Sequence, residues 1–303
     1  MMCKVKPYFS IVIPTYNRAE KLKHTLESVF TQSFTDFEVL VMDDGSTDNT
    51  KAVTEFFHDT RLRYDWAPNS GGPATPRNRG INAAQADWIC FLDADDLWYP
   101  DKLKRVHEAI TNNPGLDLIC HNEMMSVLAT GSKSLLNYGP FEADFYRVML
   151  TLGNRVSTSA ATVRRDFLNM HNLRFNQSPD YVIVEDYDLW LRIAFHSGVF
   201  HFIAEPLGEY IIEDDNISSN LEKTQHNHLV VLKDHVYNLQ TFQPDKDKLW
   251  RYINAGLLVS SAKNMLAHRH YVSGIKCLMR AFRRSLTGTL GYIVSKFTKI
   301  HKS

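Results

Sequence analysis

Along the first half of the chain, apolar runs of strand length alternate with stretches whose apolar residues recur at helical spacing. Phe9-Ser10-Ile11-Val12-Ile13-Pro14 reads as a buried strand that the proline would end, because proline brings no ladder donor. A helix follows with Leu22, Leu26, Val29 and Phe30 on one face. Phe37 to Met42 is a second apolar strand, closed by Asp43-Asp44-Gly45-Ser46, and Thr47 or Asp48 is placed to cap a helix carrying Val53, Phe56 and Phe57. Arg61 to Trp66 predicts a short third strand, and a Gly/Pro-containing loop from Asn69 to Pro76 leads to a helix from Arg77 to Ala86. Trp88 to Leu92 predicts a fourth strand, ending at Asp93-Ala94-Asp95-Asp96, with a helix from about Pro100 to Asn112 and a strand at Leu116 to Cys120 after it.

Such alternation predicts βαβ units and a mostly parallel, doubly wound α/β sheet flanked by helices. Ligands of open sheets of this kind bind beyond the carboxyl ends of the strands, and two strands here end directly in acidic clusters. From Met125 to Pro140 the periodicity fades and predicts a loop, whereas Ser157 to Val163 reads as a strand. Val184 to His196 predicts a helix that opens on Glu185-Asp186 and buries Leu189, Trp190 and Ile193, and Phe200 to Ile212 is extended. After Ser219 the pattern is helical, with breaks near Pro244 and Gly288. The organisation expected is a catalytic domain over 1–218 and a helical extension over 219–303.

Composition changes this picture little. A hydrophobic content of 44% and a charged content of 22% are ordinary for a folded chain of 303 residues. The four cysteines are scattered without a C-x-x-C pair, which argues against a zinc site or disulfide scaffold and fits a reducing, cytoplasmic setting. The first residues lack the apolar core of a secretory signal, and no apolar run is long enough to cross a bilayer. The histidines show no zinc-ligand spacing, and neither G-x-G-x-x-G nor a Walker A run is present, which excludes a dinucleotide-dependent oxidoreductase. The formal net charge is zero, yet no Asp or Glu follows Asp247. The tail is therefore basic and the rest of the chain acidic, a division that points the tail towards an anionic partner.

The chemistry-bearing residues are the acidic strand ends. The carboxylates of Asp93, Asp95 and Asp96 repel one another unless a cation or solvent compensates. Mg²⁺ or Mn²⁺ suits them, since hard cations take oxygen ligands and are often held by one or two carboxylates plus substrate phosphates. An acidic loop capping the next helix is the plainer alternative. Asp43-Asp44-Gly45-Ser46 can accept hydrogen bonds from a base or a ribose hydroxyl, with glycine allowing a tight turn, or it is a simple capped Asp-Gly turn.

Taken in order, Ile13-Pro14-Thr15-Tyr16-Asn17-Arg18, Val41-Met42-Asp43-Asp44-Gly45-Ser46, Gly71-Gly72 through Arg77-Asn78-Arg79-Gly80, Phe91-Leu92-Asp93-Ala94-Asp95-Asp96 and Glu185-Asp186 resemble the family 2 glycosyltransferases. The resemblance implies a GT-A fold and an inverting transfer from a nucleoside-diphosphate sugar, with a uridine nucleotide as the default, to a glycan or lipid-linked acceptor. It places Pro14, Tyr16, Asn17, Asp43, Asp44, Arg77, Arg79, Asp93 and Ala94 around the nucleotide, the metal on Asp95, and the general base at Asp186. For Asp186 the alternative is a helix N-terminal carboxylate favoured by the dipole. A non-catalytic sugar-nucleotide-binding or scaffold protein on the same fold is the competing reading of the whole.

One departure stands out. Many members carry Tyr-Arg-x-His in the strand after the base helix, and the corresponding run here is Tyr210-Ile211-Ile212-Glu213, followed by Asp214. Glu213 or Asp214 would then take over a metal or diphosphate contact, or the acids form a solvated loop. In the tail, Leu286, Leu290, Ile293, Phe297 and Ile300 follow helical spacing, with Lys296, Lys299 and Lys302 off that line. A basic amphipathic helix of this kind lies on an anionic membrane surface, on the inner face for a cytoplasmic protein, or packs on the catalytic domain with its charges solvated. No nucleic-acid motif accompanies the basic residues, so nucleic acid is not expected as a partner.

Overall fold

The computed structural model describes residues 6–213, 221–267 and 270–300. Strands β1 (Phe9–Thr15), β2 (Phe37–Asp43), β3 (Leu62–Trp66) and β4 (Trp88–Phe91) alternate with helices α1 (Ala19–Phe30), α2 (Thr50–Phe56) and α3 (Ala74–Ala83). Next come β5 (Leu97–Trp98), α4 (Lys102–Asn112), β6 (Leu118–Val127), β7 (Ser132–Leu136) and α5 (Phe145–Leu152). Then β8 (Thr162–Arg164), α6 (Arg165–Met170), α7 (Glu185–Phe195) and β9 (Phe200–Ile212) lead into α8 (Leu221–Asp234), α9 (Lys246–Ala267), α10 (Tyr271–Arg284) and α11 (Leu286–Ile300).

The strands form one sheet in the order β3-β2-β1-β4-β8-β6-β9-β5, with β7 beside β6. Pairing is parallel from β3 through β2 and β1 to β4, and again between β6 and β9, while β8, β7 and β5 run antiparallel to their neighbours. The strand order reverses about β1, so the crevice of this doubly wound half opens beyond the ends of β1 and β4. Residues alternate strictly across the sheet, as a period of two requires. Phe9, Ile11 and Ile13 pack in one core with Leu22, Leu26 and Val29 of α1 and Leu103, Val106 and Ile110 of α4. On the other face, Phe91 meets Phe175 and Trp190 of α7, at ring separations of 5.2 and 6.2 Å.

β1 does not end at Pro14, which is opposite Met42 in register, but runs on to Thr15. The partner β4 ends at Phe91 opposite Val12, so the missing proline donor faces a side where no strand remains, while Thr15 still accepts from the Asp44 N–H on the β2 side. The loop expected from Met125 to Pro140 is in part a hairpin: β6 reaches Val127 and β7 returns at Ser132. An edge strand exposed at Ser132, Lys133 and Ser134 has no apolar alternation to reveal it.

By compactness the chain divides into Met1–Ala143 with Arg155–Asn227, and Asp144–Asn154 with His228–Ser303. The boundary expected after Ser218 lies outside the described residues. In the second unit α5 joins α9, and Tyr146 Oη is 3.1 Å from His235 Nδ1. The helical break expected near Gly288 falls at Ser285, whose hydroxyl accepts from the Gly288 N–H at 2.9 Å as an N-cap does. Gly288 instead lies inside α11, where a Cβ would stand 3.1 Å from Tyr252 Cα.

Gly80 fixes how closely α3 rides on the sheet, since a Cβ there would lie 2.3 Å from Val12 Cγ1. Gly80→Ala should therefore destabilise the protein by about 1–3 kcal/mol as an overpacked core position. Urea unfolding would measure it, and adding Val12→Ala should recover part of the loss; an unchanged midpoint in Gly80→Ala would refute the contact.

Candidate active site

At the end of β1, Tyr16 is exposed and Asn17 adopts a left-handed φ of 50°, which asparagine tolerates better than most residues. Its N–H donates to Ser46 Oγ and its Oδ1 accepts from the Thr47 N–H, both at 2.8 Å, so the ends of β1 and β2 are stitched together. Asp43 is fully buried and accepts from the Ser46 N–H at 2.7 Å and the Tyr64 hydroxyl at 2.6 Å. Asp44, also buried, accepts from the Ser70 N–H at 3.0 Å and the Ser70 hydroxyl at 2.8 Å, which holds the loop before α3 against the β2 end. That loop in turn reaches the approach to α7, where a Cβ on Gly72 would stand 3.1 Å from Val182 Cγ2. The Arg79 guanidinium binds Asp65 Oδ2 at 3.0 Å and the Asp43 carbonyl at 3.1 Å, fastening β3 to β2. Pro14 and Ala94 are buried in the strand and the core.

Arg77, two residues earlier in α3, is buried and bridges two acids from distant parts of the chain. Its Nη1 donates to Glu185 Oε1 and its Nη2 to Asp93 Oδ1, each at 2.6 Å, and its Cζ lies 5.2 Å from the Phe175 ring centroid. Burial opposes the positive charge, yet Asp93 and Glu185 hold its pKa above the ordinary arginine value. The bridge brings the loop after β4 and the start of α7 to one place. Asp186 is half-buried beside it; burial pushes its carboxyl above the usual aspartate range, with Arg77 and the Thr158 hydroxyl pulling the other way.

Asp95 has Arg18 as a neighbour, with Nη1 3.5 Å from Oδ2. Burial, and after it Asp93, raise the Asp95 pKa, while Arg18 and Lys21 lower it. Lys21 Nζ is 2.5 Å from Glu213, so the acid standing where the family histidine was expected is engaged by a lysine. Asp214 lies outside the described residues. Asp96 faces inward, accepting from the Ser159 hydroxyl at 2.5 Å and the Ile211 N–H at 3.0 Å. Burial above all, then Glu123 and the neighbouring aspartates, push its pKa well up.

The segment Thr158-Ser159 works in two directions. The Thr158 hydroxyl donates to Asp186 Oδ2 at 2.9 Å, while Ser159 Oγ accepts from the Asp93 N–H at 3.1 Å as it donates to Asp96. Adjacent residues thus set the Asp186 carboxylate against the acidic loop. The strand expected over Ser157 to Val163 begins only at Thr162, so these two residues lie in a turn before β8, and all three contacts have partners remote in the chain. Nor does the sequence single out Arg18, which precedes α1, or Lys21 in its first turn.

Among the described residues, no group of three or more His, Cys, Asp or Glu side chains is placed to hold a metal by itself. The donor set at Asp95, a crowded carboxylate beside Asp93, instead fits a hard divalent cation that takes one or two protein oxygens and completes its sphere with phosphate and water.

Residues 10–168 match the family described as Glycosyl transferase family 2. The amylovoran biosynthesis glycosyltransferase AmsB of Erwinia amylovora is 30% identical over 213 residues, covering 67% of this chain and 69% of that protein. The UDP-Glc:alpha-D-GlcNAc-diphosphoundecaprenol beta-1,3-glucosyltransferase WfgD of Escherichia coli is 28% identical over 239 residues, 76% of this chain and 87% of that one. Among solved structures, S. aureus TarS 1-349 in complex with UDP-GlcNAc aligns with a TM-score of 0.64 at 19% identity, over 93% of this chain and 81% of that chain. The mannosyltransferase PcManGT from Pyrobaculum calidifontis, in complex with GDP-Man and Mn²⁺, aligns at 0.57 and 18% identity, over 93% and 88%. At such identities the likeness speaks for the fold, a curled, mostly parallel GT-A sheet.

Removing the arginine bridge leaves Glu185 buried without its counter-charge. Arg77→Met should lower stability by about 3–5 kcal/mol, and Arg77→Met with Glu185→Gln by clearly less. Denaturant unfolding of the three proteins would test this; an equal loss in the single and double variants would deny the coupling.

Proposed function

Because the chain belongs to glycosyl transferase family 2 and is a glycosyltransferase, we propose that its reaction is an inverting transfer from a UDP-sugar to a hydroxyl of a glycan or lipid-linked acceptor. The observation that carries this reading is the gathering of Asp93, Asp186 and Glu185 around Arg77, next to Asp95. It supports one reaction centre in which a proton acceptor and a diphosphate site stand side by side.

In this reading residues 1–218 hold donor and catalytic groups and 219–303 form an extension. Tyr16 offers its exposed ring to the nucleotide; Pro14, Asn17, Asp43, Asp44, Arg77, Arg79, Asp93 and Ala94 shape the pocket around base and ribose. Several of them act through the loops they hold, as the bonds of Asp43 to Ser46 and of Asp44 to Ser70 indicate. Asp95 holds Mn²⁺ or Mg²⁺, which when bound neutralises charge on the departing diphosphate. Arg18 and Lys21 stand beside Asp95 and add fixed positive charge there. Asp186 accepts the proton of the acceptor hydroxyl as that oxygen bonds to the anomeric carbon. The bond from that carbon to the phosphate oxygen breaks, its electron pair leaving with the nucleoside diphosphate, and attack from the opposite face inverts the configuration. Thr158 keeps the carboxylate aimed and favours its ionised form. WfgD is named for transfer to a diphosphoundecaprenol-linked sugar. An acceptor of that class would have this enzyme work in the cytoplasm, at the inner face of the membrane, in polysaccharide assembly.

Two outcomes are expected. In a thermal-shift panel of nucleotide sugars with and without Mn²⁺, a UDP-sugar should give the largest stabilisation by mass action, and Asp186→Asn should keep that shift while transfer falls on the order of 10²–10⁴-fold. Transfer retained in Asp186→Asn would remove the assignment. Since the Thr158 hydroxyl lowers the Asp186 pKa, Thr158→Val should raise it further and move the acid limb of kcat/KM to higher pH, whereas Thr158→Ser should leave the limb in place. A limb that stays put in Thr158→Val would show that another group sets it.

A further inference from the structure

The last helices carry their apolar residues on the outside. At 3.6 residues per turn, α10 divides into three arcs. Gly274 and Ala281 point inward and are buried, and a Cβ on Gly274 would stand 2.8 Å from Leu266 Cγ, so this arc is committed to α9. Tyr271, Val272, Ile275, Met279 and Phe282 occupy a second arc, all exposed, Val272 at 68% and Ile275 at 52%. Between the two lie Lys276, Arg280, Arg283 and Arg284, exposed as well. Leu286 and Leu290 of α11 are also exposed and carry the apolar line onward. The stripe therefore starts earlier than the tail periodicity indicated, in α10, and Ile293 is half-buried. Side chains of 295–300, with Lys296, Phe297, Lys299 and Ile300, and Lys302 lie outside the described residues.

Single exposed apolar side chains are ordinary, but a continuous arc of them along one helix is not. No described helix is long and apolar enough to cross a membrane. The partner has to satisfy both arcs at once: a surface that takes up large apolar side chains shallowly and presents negative charge at its rim. We propose that the outer face of α10, continued by Leu286 and Leu290, is a docking surface for an anionic lipid bilayer. The apolar arc enters the boundary between headgroups and acyl chains, and the adjacent basic arc meets anionic headgroups. Charge complementarity selects this occupant over a second copy of the chain, because the same four cations would face each other across a two-fold contact with no acid after Asp247 to offset them. The inference deepens the proposed lipid-linked setting but rests on α10 and the start of α11, independent of donor chemistry.

The test uses the full chain with vesicles of phosphatidylcholine and vesicles that also contain phosphatidylglycerol. Co-sedimentation should be strong with the anionic vesicles, slight with the neutral ones, and weakened by salt. Arg280→Gln/Arg283→Gln/Arg284→Gln should reduce partitioning roughly hundredfold, at roughly fivefold per charge. Ile275→Ser/Phe282→Ser should reduce it at least tenfold, about what loss of one large apolar anchor gives. Both variants should keep the wild-type melting temperature and the nucleotide-sugar thermal shift. Equal binding to both vesicle types, or undiminished binding of either variant, would overturn the proposal. So would lipid-free dimerisation that Ile275→Ser/Phe282→Ser abolishes, which would assign the face to a second copy. Loss of the nucleotide-sugar shift in the wild type would instead count against the donor reading and leave vesicle binding to be judged separately.

Discussion

The site depends on one buried guanidinium. Arg77 arises from α3, Asp93 from the loop after β4, and Glu185 from the first turn of α7, and only a planar, forked cation reaches both acids at 2.6 Å. Without that charge, burial would disfavour Glu185 in its ionised form; even with it, burial raises the Glu185 carboxyl to about 7. The interaction is thus a tie between three elements before it is a stabilising contact. Its geometry brings the start of α7, where Asp186 follows Glu185, to the loop that carries Asp93 and Asp95.

Around that tie, polar side chains transmit position. Asp96 holds the Ile211 N–H near the end of β9 and the Ser159 hydroxyl, and Ser159 holds the Asp93 N–H. The acidic loop is therefore fixed from below by a carboxylate that is itself buried. Thr158, one residue away, fixes Asp186. Precise placement of reacting groups requires such support, because a hydrogen-bonded rotamer keeps its direction when substrate binds.

What the sequence made legible follows from range. Period-two and helical apolar spacing exposed β1, β2, β4, α1 and α7, since their burial is a local pattern, and β9 has the bounds expected of it. The acidic strand ends were legible because repelling carboxylates at Asp93 and Asp95 call for compensation. The β7 edge, solvated on both faces, left no periodicity. Ser70, Thr158 and Ser159 carry common hydroxyls whose meaning lies in partners 26, 28 and 63 or 66 residues away. Arg79 shows the converse: a basic residue expected beside the nucleotide turns its Nε and Nη2 to Asp65 and the Asp43 carbonyl. Gly288 looked like a helix stop and is a point of close approach.

The balance of charge explains why such a site would need an ion that the chain itself does not supply. Asp93, Asp95, Glu185, Asp186 and Glu213 face Arg18, Lys21 and Arg77, and Arg77 is already shared between two acids while Lys21 is taken by Glu213. Burial also pushes the Asp96 carboxyl well up, and the acids gathered here outnumber the cations. A diphosphate, itself negative, meets net repulsion there unless positive charge arrives with it. In the proposed reading Asp95 would hold a divalent cation, which would bring that positive charge to the diphosphate. Asp95 would be the carboxylate that meets such an ion, since burial, and after it Asp93, raise its pKa, and a cation there would offset both.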